Sequence, residues 1–305
     1  MFFEIINGIK QVEPGEVNLS DSHHYAGVIS LDESESIFKN LGIDAEKFFE
    51  LLGGKSVTLE NHGGFDMAAL NILNHRSLSS PGERAGIVFN KNIIIFVSKD
   101  VHTVLAMTPF LNAAEDGSFV FDRILSSFFE RLTGEDIDYL DKIEQEISDL
   151  ESALIRSKRQ NCVKEIISLR KRLLVFKRYY EQLLNVLEEL QQNENDTLSV
   201  NSLRYFKIYA GRVERLYHSV LNLRDYVTQV REAYQAEVDI SLNNIMKIFT
   251  VITAIFLPLT LIVGWYGMNL QLPEFKWAFG YPFVIILSVA VVVFCLFIFK
   301  KRKWF

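Results

Sequence analysis

Residues Asn243–Asn269 read NNIMKIFTVITAIFLPLTLIVGWYGMN, and no residue from Ile248 to Pro273 carries a formal charge. A helix rises about 1.5 Å per residue, so such a run can cross a hydrocarbon core of about 30 Å. The run is not uniformly apolar. Asn243, Met246, Thr250, Thr253, Leu257, Thr260, Gly264 and Gly267 recur at steps of three and four. They form one seam, mostly polar, small or thioether, while Ile, Leu, Val and Phe fill the other faces. Two readings fit. Small residues let membrane helices approach and hydroxyls bond across the contact, or the seam lines a path for something polar.

The end of this helix weighs on the choice. Tyr266-Gly267-Met268-Asn269, followed by Pro273-Glu274, resembles the YGMN…PE signature of the CorA-type magnesium channel family. Asn243, Met246-Lys247, Thr250 and Pro258-Leu259-Thr260 fall where that family places N, MK, T and PLT. The detailed resemblance covers about residues 239–305; the N-terminal half is similar in layout only. It implies an α+β cytoplasmic domain of α/β/α layering, joined by a long stalk helix to a two-helix membrane domain, in a funnel-shaped homo-oligomer, a pentamer. It also implies a selectivity filter of Gly267, Met268 and Asn269, with Asn243, Met246, Phe249, Thr250, Thr253, Leu257 and Thr260 lining the pore. Phe249 stands where a Leu is expected, and the loop carrying Glu274 is one residue shorter than the usual spacing. The family closes when Mg²⁺ binds acids between neighbouring soluble domains, partly on the upper stalk. Thr197–Val213 contains no carboxylate, which turns attention to other acids such as Asp100 as a regulatory metal ligand.

Charge is divided along the chain. Residues 240–305 hold six Lys/Arg and one acid, net +5, against a total of −6, leaving −11 for residues 1–239. An acidic soluble part suits cations and argues against nucleic acid. Tyr281–Phe299 is a second apolar run, closed by Lys300-Lys301-Arg302-Lys303. Positive residues stay on the cytoplasmic side, so both termini are expected inside a plasma (inner) membrane, with an external loop at 270–280. The basic tail is also suited to anionic lipid headgroups. Cys162 lies in a charged helix and Cys295 in the second span, which fits unpaired thiols in a reducing cytosol. The N-terminus MFFEIINGIKQVEPGE shows neither a secretory nor a mitochondrial address.

Residues 1–118 read as mixed α/β, with strands expected at Phe2–Val12, Tyr25–Ile29, Ser56–Leu59, Ala85–Asn90 and Asn92–Val97. Ile93–Val97 is apolar throughout, as a strand buried on both faces would be. Helices are expected after Asp32 as N-cap, across Ala45–Leu52 and across Val101–Phe110. His23-His24 reads as a solvated pair, since a metal needs more ligands; His62, His75, His102 and His218 form no spacing of note. Residues 119–196 hold two long helices at heptad-like spacing, read as antiparallel partners. The first bears an acidic reverse face that includes Glu135, Asp136, Asp138 and Asp141, an ordinary solvated face or a surface that gathers cations. Asn193–Asp196 is a break. From about Leu198 the pattern runs through Leu203, Phe206, Val213, Val220 and Val230 into the seam, a stalk over 197–269 whose first span is about 246–268.

Two spans cannot enclose a channel, so a pore requires copies of the first span round an axis. The seam holds no Asp or Glu. Mg²⁺ sheds its waters reluctantly, and neutral amides and hydroxyls hydrogen-bond a hydrated ion without stripping it. Met246, Phe249 and Leu257 narrow the path and close it by dewetting. No phosphate-binding G-x-x-x-x-G-K-[ST] stretch is present; the membrane potential itself drives a double charge by about 4.6 kcal/mol per 100 mV. The same architecture serves Zn²⁺, Co²⁺ or Ni²⁺, and a membrane-tethered coiled-coil scaffold is the rival from another class. No nucleophile–base pair or metal cluster points to an enzyme.

Overall fold

A computed structural model describes residues 1–5, 9–17, 23–54, 57–75, 82–108, 120–155, 162–268 and 279–302. The chain divides into two compact units, Met1–Val230 and Arg231–Phe305.

In the first unit the apolar run Ile93–Val97 is the middle of a mixed sheet. Strand β7 (Ile93–Ser98) pairs in parallel with β3 (His24–Ser30) and antiparallel with β6 (Glu83–Phe89). Its five residues Ile93–Val97 are fully buried, so a run without alternation is what two covered faces demand. Outward from it the order is β2-β1-β3-β7-β6-β5-β4, with β1 Phe2–Ile5, β2 Ile9–Val12, β4 Leu59–His62 and β5 Phe65–Ile72. The expected single strand Phe2–Val12 is therefore two, paired Phe2 to Val12 and Ile5 to Ile9 as an antiparallel hairpin. The strand expected at Ser56–Leu59 begins at Leu59, and β5 was not anticipated at all. Its signal was present: His62-Gly63-Gly64-Phe65 is a two-residue turn with both glycines at positive φ, 60° and 82°, the backbone that a primed hairpin turn requires.

Helices cover both faces. α1 (Leu31–Leu41) and α2 (Ala45–Gly53) pack on one, where Phe38 and Phe48 meet edge to face at 4.9 Å among Ile29, Met67, Ile95 and Val97. Gly86 of β6 lets the Phe48 ring lie against the sheet, since a Cβ there would stand 2.2 Å from its Cζ. α1 is capped two residues before the expected Asp32. Ser30 occupies the N-cap without a side-chain bond, and Asp32 sits in the first turn. α2 starts as expected, with Asp44 accepting from the Lys47 amide. On the opposite face, α4 (Val120–Leu132) brings Phe128 within 4.9 Å of Phe96. α6 (Cys162–Gln192) reaches β5 through Asn71 Nδ2, which donates to Gln182 Oε1 at 3.1 Å. The layering is α/β/α. α3 (Val101–Met107) is shorter than the expected Val101–Phe110, whose last two residues lie outside the described set.

α5 (Asp136–Ile155) and α6 pack through Leu140, Ile143, Ile147 and Leu150 against the α6 stripe, as the heptads require. Asp136 does not belong to the solvated acidic face. It is fully buried, accepting from Tyr180 Oη at 2.9 Å and pairing with His75 Nε2 at 2.6 Å. Beside it, Tyr179 donates to the Leu132 carbonyl at 3.1 Å, while Tyr209 bonds Thr133 Oγ1 at 3.0 Å and the Phe129 carbonyl. The corner between α4 and α5 is thus a polar hub held from β5, α6 and α7. α7 (Val200–Tyr266) is one helix of 67 residues, assigned helical through Pro258. The break before it is real, with Asn193 and Asp196 at φ 48° and 50°.

Removing Asp136 would orphan the buried Tyr180 hydroxyl, at about 1–3 kcal/mol, and leave the half-buried His75 ring without its partner at about 1 kcal/mol. Asp136→Ala should therefore lower the stability of the first unit by about 2–4 kcal/mol, read by urea unfolding. The bond to Asp136 raises the His75 pKa above its ordinary 6.5, against the opposing effect of burial. That contribution is complete below pH 6.5 and is lost as pH climbs through the raised value. Stability should decline as pH rises above 6.5 through that value, and His75→Gln should flatten the decline.

Candidate functional site

In the second unit α7 is accompanied by α8 (Gly280–Lys301); among the described residues these are the two helices long and apolar enough to cross a membrane. Their contact uses one face of each. On α7, Val251 is buried and Ala254, Ile255, Pro258, Leu259 and Ile262 are half-buried; on α8, Val284, Leu287, Ser288, Val291, Val292 and Cys295 alternate at steps of three and one. Pro258 has no amide to offer the Ala254 carbonyl. The Cys295 thiol donates to that carbonyl instead, at 3.8 Å.

The seam is the other face. Asn243, Met246, Phe249, Thr250, Thr253, Leu257, Thr260, Gly264 and Gly267 are all exposed in the single chain. The three large members are well exposed, Met246 at 63%, Phe249 at 61% and Leu257 at 67%. The hydroxyls of Thr250, Thr253 and Thr260 each donate to their own i−4 carbonyls, of Met246, Phe249 and Phe256, at 2.8 Å. Their protons are spent on the backbone, so each oxygen presents lone pairs outward. A row of acceptors with no formal charge suits a ligand rich in donors, such as the water shell of a cation.

Gly267 and Met268 close the C-terminal turn of α7, where the Gly267 amide donates to the Val263 carbonyl at 2.8 Å. Asn269 and Glu274 lie outside the described residues. Asp100 caps α3: its carboxylate accepts from the amides of His102 and Thr103 and from Thr103 Oγ1 at 2.7 Å, and the Thr103 hydroxyl leads in holding its pKa below the ordinary value. A metal there would have to displace these donors. His23 of the pair His23-His24 bonds Glu4 at 2.8 Å, tying β1 to the start of β3. Among the described residues no three His, Cys, Asp or Glu side chains converge on a metal position.

One polar cavity went unread in the sequence. It measures about 270 Å³ and is lined by Asn61, Asp66, Glu189, Asn193, Glu194 and Thr197. Asp66 accepts from Asn195 Nδ2 at 2.8 Å and Thr197 Oγ1 at 2.7 Å, and Glu189 accepts from the Leu59 amide at 2.6 Å. Burial raises the pKa of both acids. The Asp66 contacts pin the 193–197 turn to β5 and the Glu189 contact ties the end of α6 to β4, tertiary pairings with no local sequence signal.

The model of the CorA-like Mg²⁺ transporter proteins matches residues 30–301. The chain belongs to that family. It is 30% identical over 184 residues to the cobalt/magnesium transport protein CorA of Thermotoga maritima, a match covering 60% of this CorA-like chain and 52%, about half, of that relative's length. A shorter match, 39% identical over 79 residues, covers 26% of the chain and 25% of the magnesium transport protein CorA of Escherichia coli. In fold the chain is similar to the complete structure of the CorA magnesium transporter from Methanocaldococcus jannaschii, with a TM-score of 0.81 at 20% identity, covering 100% of this chain and 99% of that one.

A Cβ at Gly267 would lie 2.7 Å from the Val263 carbonyl, whereas one at Gly264 meets nothing within 4 Å in the single chain. Gly267→Ala should lower the unfolding midpoint of the detergent-solubilised protein. Gly264→Ala should leave it unchanged or raise it, by up to about 1 kcal/mol of helix propensity.

Proposed function

We propose that copies of this chain assemble with the α7 seams facing a common axis and conduct divalent cations, Mg²⁺ foremost, in hydrated form. The observation that carries this is the division of α7 into two faces. One is covered by α8; the rest is bare, and within it the seam gathers the hydroxyls, the amide and the small residues while Ile248, Phe256, Leu261 and Val263 leave the remainder apolar. In hydrocarbon such a face is satisfied by its own copies or by water. The family to which the chain belongs supports the same reading.

In this scheme the outer ring is formed by Asn269 on the Gly267-Met268 turn, and its amides hydrogen-bond the ion's first waters. Thr260, Thr253 and Thr250 then offer oxygens whose lone pairs point into the lumen, and Asn243 provides a last polar ring. Acceptors of this kind hold a water shell without removing it, and the absence of carboxylates along the seam keeps each site weak enough to release the ion. Met246, Phe249 and Leu257 form the apolar constrictions. A pentamer with both termini in the cytoplasm of the inner membrane is the arrangement proposed. Co²⁺ is a second cargo, favoured by the cobalt/magnesium name of the Thermotoga relative; it too crosses hydrated.

Reconstituted vesicles with an inside-negative potential should take up Mg²⁺ with the native chain. Asn269→Ala should lower the flux about tenfold or more, the equivalent of losing one charge-assisted hydrogen bond of about 1.5 kcal/mol. Thr260→Val, similar in shape and without the oxygen, should lower it less. Equal flux in all three proteins would show that the seam does not line the path.

A further inference from the structure

The seam leaves unexplained a second group of side chains, where α7 meets the end of α8. Lys247 stands one turn before the buried Val251, on the face that meets α8, and is half-buried while its neighbours from 241 to 250 are exposed. The contact of Cys295 with the Ala254 carbonyl fixes the register of the two helices. Lys247 lies seven residues before Ala254 and Arg302 seven after Cys295. In antiparallel helices both steps run about 10 Å in the same direction, which brings Lys247 level with Lys300, Lys301 and Arg302.

This cluster has no compensating acid on either helix. α8 contains no Asp or Glu, and the nearest acid before Lys247 on α7 is Asp239, eight residues or about 12 Å away. That exceeds the screening length of about 8–10 Å. Lys300, Lys301 and Arg302 at a helix C-terminus complement the helix dipole, but Lys247 is in mid-helix and has no such reason to be there. Directly beyond it the exposed residues are apolar: Ile248, Ile252, Phe294, Phe297 and Ile298. A cationic patch with a greasy flank fits an amphiphile that carries an oxyanion on its head.

We infer that Lys247, Lys300, Lys301 and Arg302 form a binding site for the phosphodiester headgroup of an anionic phospholipid, seated between α7 and α8 with its acyl chains along the apolar flank. This rests on the membrane reading of the two helices. A free phosphate offers the same oxyanion, but the flank favours the lipid. An attached lipid would clamp the end of α8 to α7 where α7 enters the membrane. Basic pockets between helices on this side of a bilayer recognise such headgroups, at about 1 kcal/mol per Lys or Arg, or about fivefold in affinity.

The test is native mass spectrometry of the full chain in detergent, titrated with phosphatidylglycerol or phosphatidylcholine. The native protein should retain phosphatidylglycerol preferentially. Lys247→Gln should weaken this about fivefold, Lys247→Gln with Lys301→Gln about 25-fold, and Lys247→Arg should restore it. Glycerophosphoglycerol, the headgroup without chains, should compete poorly. Equal retention of both lipids, indifference to Lys247→Gln, or full displacement by the chain-free headgroup would each overturn the proposal. Carbonate extraction of membranes holding each protein separates the two readings. A native chain washed off the membrane refutes the spans themselves, while a retained chain indifferent to headgroup charge refutes only this site.

Discussion

Hydrocarbon offers no hydrogen-bond partner, and everything in the second unit follows from that constraint. From Ile248 onward α7 presents hydroxyls and bare glycines along one side of a segment whose other residues are mostly apolar, with the Asn243 amide one turn before it. α8 is apolar up to its basic end and covers the side of α7 whose one freed carbonyl, that of Ala254, it satisfies itself. The threonines soften the penalty by returning their protons to the backbone. Their oxygens remain, and an oxygen lone pair in a membrane is satisfied only by a donor that arrives from elsewhere. Water around a cation is such a donor.

The same logic explains why a proline is tolerated within this helix. Pro258 breaks one backbone bond, and the freed Ala254 carbonyl lies on the α8 side rather than the seam side, where Cys295 reaches it. The defect is therefore settled within the helix pair, and the seam keeps its period of three and four residues across it. Helix pairing and seam exposure are two consequences of one placement.

In the first unit the polar burden is carried by the α4–α5 corner. His75, Asp136 and Tyr180 satisfy one another, and Thr133 and Tyr209 do the same beside them. A buried network of this kind admits few alternative packings. It joins the end of β5, the start of α5, the middle of α6 and the first turns of α7. α7 is the same helix that continues to Tyr266, and within the first unit it is buried at Phe206, Val213, Leu216, Val220, Leu223 and Val227 as well as at the hub.

The apolar length of Ile248–Pro273, the period of the seam, the strand Ile93–Val97 and the heptads of α5 and α6 were decided by the sequence alone, because each rests on local periodicity. GMN with its flanking residues was equally local, and it carried the family. Other features were decided only in three dimensions. Asp136 reads as one more acid on a charged helix, and its burial depends on His75, which is 61 residues away. Strand β5 was hidden by its mixed composition; β4 and β6 pair with its two edges, and α2 and α6 pack against it. The helix registers that set the seam bare and place Lys247 beside the end of α8 are likewise tertiary. Periodicity fixes which residues share a face, but only packing fixes what that face meets.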